Sequence, residues 1–199
     1  MTDPIAARIL ERISRANLVV APAAIQSAAA YLALLARWNR TINLTGFPLE
    51  PPTDEALDRL IVEAFAAAAH LAESDRRVID VGSGGGSPAL PLKMVRQDLE
   101  LTLIESKSRK AAFLREAARE LGLSNVSVEQ ARLEDLAARG ALDECADVVT
   151  IRAVRLDAAM RERLSRMARP GGRLLVFSSE GAVQLVPDRQ SFLSIVPIL

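Results

Sequence analysis

The chain has one cysteine, Cys145, and one histidine, His70. A disulfide framework, a thiolate zinc cluster, a multi-histidine metal site and a histidine-pair mechanism are therefore excluded. Lysine is nearly absent too: Lys93, Lys107 and Lys110 are the whole set. Net charge is missing, since 25 basic residues meet 25 acidic ones. That excludes a polycation coating nucleic acid by bulk charge. Aromatics are scarce, with five Phe, one Tyr and one Trp, which leaves little for stacking along single-stranded RNA. No apolar run approaches the ~20 residues that span a bilayer. The opening MTDPIAARILERISRA lacks the charged-then-apolar order of a secretion signal. A cytoplasmic protein is expected, with no membrane segment and no metal.

What is present suits one globular domain with a substantial core: 199 residues, 50% hydrophobic and 25% charged. The neutral total hides polarity. Arg152 to Arg173 carries seven arginines against Asp157 and Glu162, a local net of +5. Asp54 to Asp75 carries a net of −5. The arginine stretch reads first as a solvated helix face, and second as a surface for phosphates, which arginine grips with forked hydrogen bonds.

Hydrophobic spacing divides the chain in two. Residues 1–75 read as a helical extension. One helix carries Ile5, Ile9, Leu10 and Ile13. A second runs from about Ala23 to Arg40, with Tyr31 and Trp38 in a core seam. A third runs from Thr53 or Asp54 to about Ala72. Residues 76–199 alternate strands and helices. The strands are Val78–Val81, Leu99–Glu105, Val126–Val128, Asp147–Ile151 and Arg173–Phe177. The helices are Ser87–Arg96, Ser108–Leu121, Leu133–Ala138 and Leu156–Met167, the last closed by Pro170-Gly171-Gly172. This alternation predicts an α/β fold, a mostly parallel sheet with helices on both faces. His70 reads as a half-buried polar residue at a helix end and Cys145 as a small buried apolar group.

The chemistry concentrates in Asp80-Val81-Gly82-Ser83-Gly84-Gly85-Gly86-Ser87-Pro88. A strand runs into alternating glycines and a helix follows, which lets backbone approach a ligand closely. Glu105 stands 19 residues after Gly86, at the end of the next strand, where a carboxylate can accept from a ribose diol. The spacing is GxGxG after an acid, a form suited to S-adenosylmethionine, which has no pyrophosphate to cradle. A nicotinamide site is the competing reading. Asp80, Gly82, Ser83, Gly84, Gly86, Ser87 and Glu105 are therefore candidate cofactor residues, with Asp80 ordering the loop or meeting an ammonium group. Arg132-Leu133-Glu134-Asp135 after the third strand and Arg152 after the fourth should line the same cleft, since ligands sit at the carboxyl ends of parallel strands. No residue is assigned as chemically catalytic.

These residues resemble the GidB family of bacterial small-subunit ribosomal RNA guanine-N7 methyltransferases. Arg37-Trp38-Asn39-Arg40 through Asn43-Leu44-Thr45 is similar to the family's W-N-x-x-x-N-L-T segment. Val78 to Pro88 resembles its glycine loop. Glu105-Ser106, Arg109-Lys110 and Phe113-Leu114 resemble D-S-x-x-K-R-x-x-F-L, and Ile151-Arg152-Ala153 resembles S-R-A. The likeness runs from about Tyr31 to Phe177. It implies a class I methyltransferase sheet, normally of seven strands. It also implies cofactor contacts at Gly82, Ser87, Leu133, Glu134 and Arg152, with Glu105 near the ribose, and 16S ribosomal RNA or the small subunit as partner of a monomeric enzyme. The alternatives are a diverged relative with another acceptor, and a non-catalytic cofactor-binding homologue. Three differences stand out. The family's R-H-I-x-D-S is here Arg59-Leu60-Ile61-Val62-Glu63-Ala64. The glycine after the loop proline is Ala89. The usual lysine-glycine after the fifth strand is Glu180-Gly181. With 21 residues after Ser178, one further strand over Phe192–Pro197 and a missing edge strand are expected.

Overall fold

The computed structural model describes residues 3–152, 157–178, 183–184 and 192–197. The chain opens with α1 (Pro4–Arg15) and α2 (Pro22–Asn39). Each starts on a proline, whose missing N–H costs nothing in a first turn. The Asp3 side chain caps α1 by accepting from the Ile5 amide at 2.8 Å. Ala6, Ile9 and Ile13 are buried along one stripe, whereas Leu10 faces solvent. Next come α3 (Asp54–Leu57), a π-helical turn (Asp58–Val62), α4 (Glu63–Ala67) and a 3₁₀ turn (Ala68–His70). The third expected helix is thus interrupted by the π turn and stops at His70. The Thr53 hydroxyl caps it on the Ala56 amide at 3.2 Å.

The sheet follows: β1 (Arg77–Val81), α5 (Ala89–Val95), β2 (Glu100–Ile104), α6 (Ser108–Glu120), β3 (Val126–Glu129), α7 (Leu133–Arg139) and β4 (Ala146–Arg152). Then come α8 (Ala158–Met167), β5 (Ala168–Ser178), β6 (Val183–Gln184) and β7 (Phe192–Pro197). The strand order is β3-β2-β1-β4-β5-β7-β6. β1 to β5 run parallel, and β7 is antiparallel to both β5 and β6. The expected missing edge strand is therefore present, two residues long. Arg169 to Gly172 falls inside β5, at the register shift between its Ala168 and Arg173 pairings. A Cβ on Gly172 would lie 2.9 Å from the Arg169 carbonyl oxygen and 3.0 Å from that of Asp147, so only glycine fits there.

The central strands are sealed on both sides. From Val78 to Val81 and from Ala146 to Ile151 every residue is buried, which is why both read as continuous runs rather than alternations. On one face Leu90, Leu92, Phe113, Leu114 and Ala117 from α5 and α6 join a single apolar cluster with α1, α2 and α4. On the other, Leu133 and Leu136 of α7 pack with Leu164 and Met167 of α8. Cys145 is half-buried rather than buried, its thiol 3.3 Å from the Asp143 carbonyl oxygen. His70 is half-buried in its 3₁₀ turn. No helix among the described residues is long and apolar enough to cross a membrane.

The arginine stretch is largely spent on ion pairs. Arg166 meets Asp143 at 2.8 Å, Arg169 meets Asp147 at 2.5 Å, Arg173 meets Asp75, and Arg163 stands 4.0 Å from Glu134. Arg155 lies outside the described residues.

Candidate functional site

The register aligns Asp80 with Leu103 of β2 and Thr150 of β4, and Val81 with Ile104 and Ile151. The carboxyl ends of three neighbouring strands therefore deliver Gly82, Glu105 and Arg152 side by side. β2 lies on one side of β1 and β4 on the other, so this is where the sheet changes direction of winding and opens a crevice.

The glycine turn is shaped by conformation and by close approach. Gly82, Gly84 and Gly86 have φ of 74°, 49° and 90°. A Cβ on Gly86 would stand 2.5 Å from Leu90 Cδ1. The Ser83 hydroxyl donates to the Asp80 carbonyl at 3.0 Å and the Ser87 hydroxyl to the Leu60 carbonyl at 2.9 Å. Both serines thus hold the turn. Tyr31, fully buried in α2, donates to the Gly85 carbonyl at 2.6 Å, and burial pushes its phenol pKa well up. Asn39 latches the neighbouring loop. Its Oδ1 accepts from the amides of Leu44 at 2.8 Å and Thr45 at 3.0 Å, and its Nδ2 donates to the Thr45 carbonyl at 3.0 Å. The Leu44 carbonyl oxygen in turn lies 3.2 Å from where a Gly85 Cβ would be.

Beside the turn is a cleft of about 380 Å³ lined by Gly82, Glu105, Lys107, Arg132, Leu133 and Glu134, among others. Glu105 is 7% exposed. Its oxygens accept from the amides of Gly84 at 3.0 Å and Lys107 at 2.7 Å, which fixes the carboxylate at the cleft wall. Of the candidates, Gly82, Glu105, Leu133 and Glu134 line this cleft. Ser83, Gly84, Gly86 and Ser87 form the turn behind it.

Asp80 and Arg152 belong to a second, buried polar group. Asp80 is 2% exposed. One oxygen accepts from the Thr150 hydroxyl at 2.6 Å, and the other is buried with no partner among the described residues. Burial pushes its pKa up, with Thr150 and Ser83 pulling against that. Arg152 donates from Nη1 to Glu63 at 2.5 Å and lies 4.6 Å above the Phe177 ring centre. Among the described residues its Nε and Nη2 have no partner and are buried. Burial pulls its pKa down and the Glu63 charge opposes that. Nε and Nη2 form the edge of a guanidinium that grips a carboxylate with two parallel bonds. Asp80 and Arg152 each feel the charge of the other. The unpartnered Asp80 oxygen and the unpartnered Arg152 edge carry the charges complementary to the ammonium and the carboxylate of a zwitterion. Glu63, 1% exposed on α4, is the site member that sequence spacing missed. Its pairing with Arg59 four residues earlier reads as an ordinary helix-face bridge, and nothing local announces its second partner 89 residues away.

A parallel sheet with a reversed strand next to its edge, a glycine turn after β1 and an acid closing β2 define the class I methyltransferase fold. The YcgJ protein from Bacillus shares this fold, with a TM-score of 0.50 at 20% identity over 58% of this chain and 50% of that one. The profile described as GidB, rRNA small subunit methyltransferase G, matches residues 24–190, and the chain belongs to this family. The ribosomal RNA small subunit methyltransferase G of Xanthomonas axonopodis pv. citri is 42% identical over 147 residues, 73% of this chain and 64% of that one. Its namesake in Xylella fastidiosa is 41% identical over 156 residues, 77% and 64%. The chain thus spans 64% of the length of these curated relatives.

Proposed function

We propose that the chain is an S-adenosylmethionine-dependent methyltransferase acting on guanine N7 of 16S ribosomal RNA. The observation that carries this reading is the buried pair of unsatisfied groups beside the glycine turn, the Asp80 oxygen and the Nε–Nη2 edge of Arg152. The amino-acid end of S-adenosylmethionine has the charges they lack. Glu105 would meet the ribose, Leu133 and Glu134 would flank the adenine, and Gly82 would let the backbone pass close by. Ser83, Gly84, Gly86 and Ser87 would shape the turn. A nicotinamide cofactor has no amino-acid end, ammonium next to carboxylate, to fill the buried pair.

When bound, the cofactor supplies an electrophilic methyl on a sulfonium. Guanine N7 has a free lone pair and no proton to lose, so the chain needs to furnish no general base. Its residues contribute by binding and aligning the two reactants and by keeping water from the buried charges. His70, the one histidine, is not among the residues lining the cleft. Residues 1–75 act as an extension bracing the unit formed by residues 76–199. The enzyme works as a monomer in the cytoplasm on 16S RNA or the small subunit. Glu180 and Gly181, at the position of the family's lysine-glycine, lie outside the described residues.

The deciding experiment incubates the chain with methyl-labelled S-adenosylmethionine and small ribosomal subunits lacking the modification. Label recovered at a guanine N7 is expected, with RNA binding that weakens steeply as salt rises. Cofactor binding without transfer to any RNA would overturn the enzymatic reading.

A further inference from the structure

We propose that Glu63 is a positioning residue for the cofactor site: it holds Arg152 by one nitrogen so that the guanidinium fork stays free for the carboxylate of the ligand. This rests on the cofactor reading above and extends it to a residue on the helical extension. Two arginines of this molecule pair with fully buried carboxylates in different ways. Arg12 uses its fork on Asp58, Nε to Oδ1 at 2.8 Å and Nη2 to Oδ2 at 2.7 Å. That pairing satisfies both partners and joins α1 to the π turn. Glu63 instead takes only Nη1 of Arg152, at 2.5 Å, and leaves Nε and Nη2 buried with no partner among the described residues. A bridge whose whole purpose was stability would use the fork, because bidentate contact is the stronger geometry.

Glu63 is prevented from swinging onto the fork. Its other oxygen, Oε1, accepts from Arg59 at 2.9 Å, one turn earlier on the same run of helix. The Phe177 ring beneath the guanidinium restrains its plane from another strand. The arginine is thus fixed by a helix on one side and β5 on another, with its fork as the free edge.

The test is calorimetry on the purified chain with two probes, S-adenosylhomocysteine and methylthioadenosine. The second lacks the amino-acid end and cannot reach the fork. In Glu63→Gln, S-adenosylhomocysteine should bind about tenfold more weakly, the loss expected for one charge-assisted contact, while methylthioadenosine keeps its affinity. Glu63→Asp retains the charge and should recover part of the loss. Equal weakening of both probes would make Glu63 a fold residue only and overturn the role. No weakening of either would overturn it too. A native chain that binds neither probe would sink the cofactor reading itself, and this inference with it.

Discussion

Asp80 illustrates at the scale of one residue how a binding site is kept at the expense of stability. One of its oxygens is satisfied by Thr150 and the other is buried with no partner among the described residues, an arrangement that disfavours the ionised form. Burial raises its pKa above the ordinary 3.8, so the folded chain holds the proton more tightly than the unfolded one. The stability this group contributes is complete below 3.8 and is lost as pH rises through the higher folded value. Asp80→Asn removes that loss, since an amide need not ionise. In thermal melts without ligand, the variant should gain on the native chain as pH rises from about 4 to about 8, with no gain at the acid end. A variant melting lower than the native chain throughout would mean that the carboxylate is paired after all.

Among the elements, the loop after α2 shows why a family motif far from the cleft matters to it. Trp38 packs edge-on against Phe113, with ring centres 5.8 Å apart, and donates to Glu116 at 3.0 Å. The motif's tryptophan thus ties α2 to α6. Its asparagine, Asn39, closes the Leu44–Thr45 loop with three hydrogen bonds, and that loop backs onto Gly85. Asn39→Ala leaves two amides and a carbonyl without partners. Urea unfolding should show a loss of about 1–3 kcal/mol. S-adenosylhomocysteine affinity should fall with it, because the turn loses its support. An unchanged unfolding midpoint would mean that solvent replaces the latch. The motif was visible as a string of residues, but its mechanical reason was not. It depends on contacts between α2, α6 and the glycine turn, which no local spacing specifies.

On the scale of the whole molecule, the helical extension is held together by charge as well as by apolar packing. Asp58 is fully buried, and the Arg12 side chain paired with it is 10% exposed. The hydrogen bond to Asp58 raises the Arg12 pKa against the opposing effect of burial. Removing Arg12 takes from the buried Asp58 both hydrogen bonds of that pairing. Arg12→Ala should therefore cost about 3 kcal/mol in chemical denaturation. That cost should be nearly the same at low and high salt, because buried pairs are poorly screened. A small, salt-dependent effect would mark the pair as a surface bridge. The interruption of the third helix by a π turn belongs to the same scale. One run of helix has to send Asp58 to α1, the Leu60 carbonyl to Ser87 and Glu63 to Arg152, and a π turn alters which way the following residues face.

Periodicity, glycine placement and the acid after the second strand were enough, from the sequence alone, to read a parallel sheet with a cofactor turn, because these are local rules of backbone geometry and burial; the likeness to the family rested instead on the motif residues Trp38-Asn39, Asn43-Leu44-Thr45, Arg109, Phe113-Leu114 and Arg152-Ala153. The edge strand β6 escaped such reading, since two residues carry no periodic signal and exist as a strand only by pairing with β7. Tertiary structure alone decided which charges are spent and which are held open. Arginines of one type and one stretch became an ion-pair partner at Arg166, a strand clamp at Arg173 and a free fork at Arg152. The difference lies in the partner that folding brings within hydrogen-bond reach, and that partner can sit anywhere in the chain.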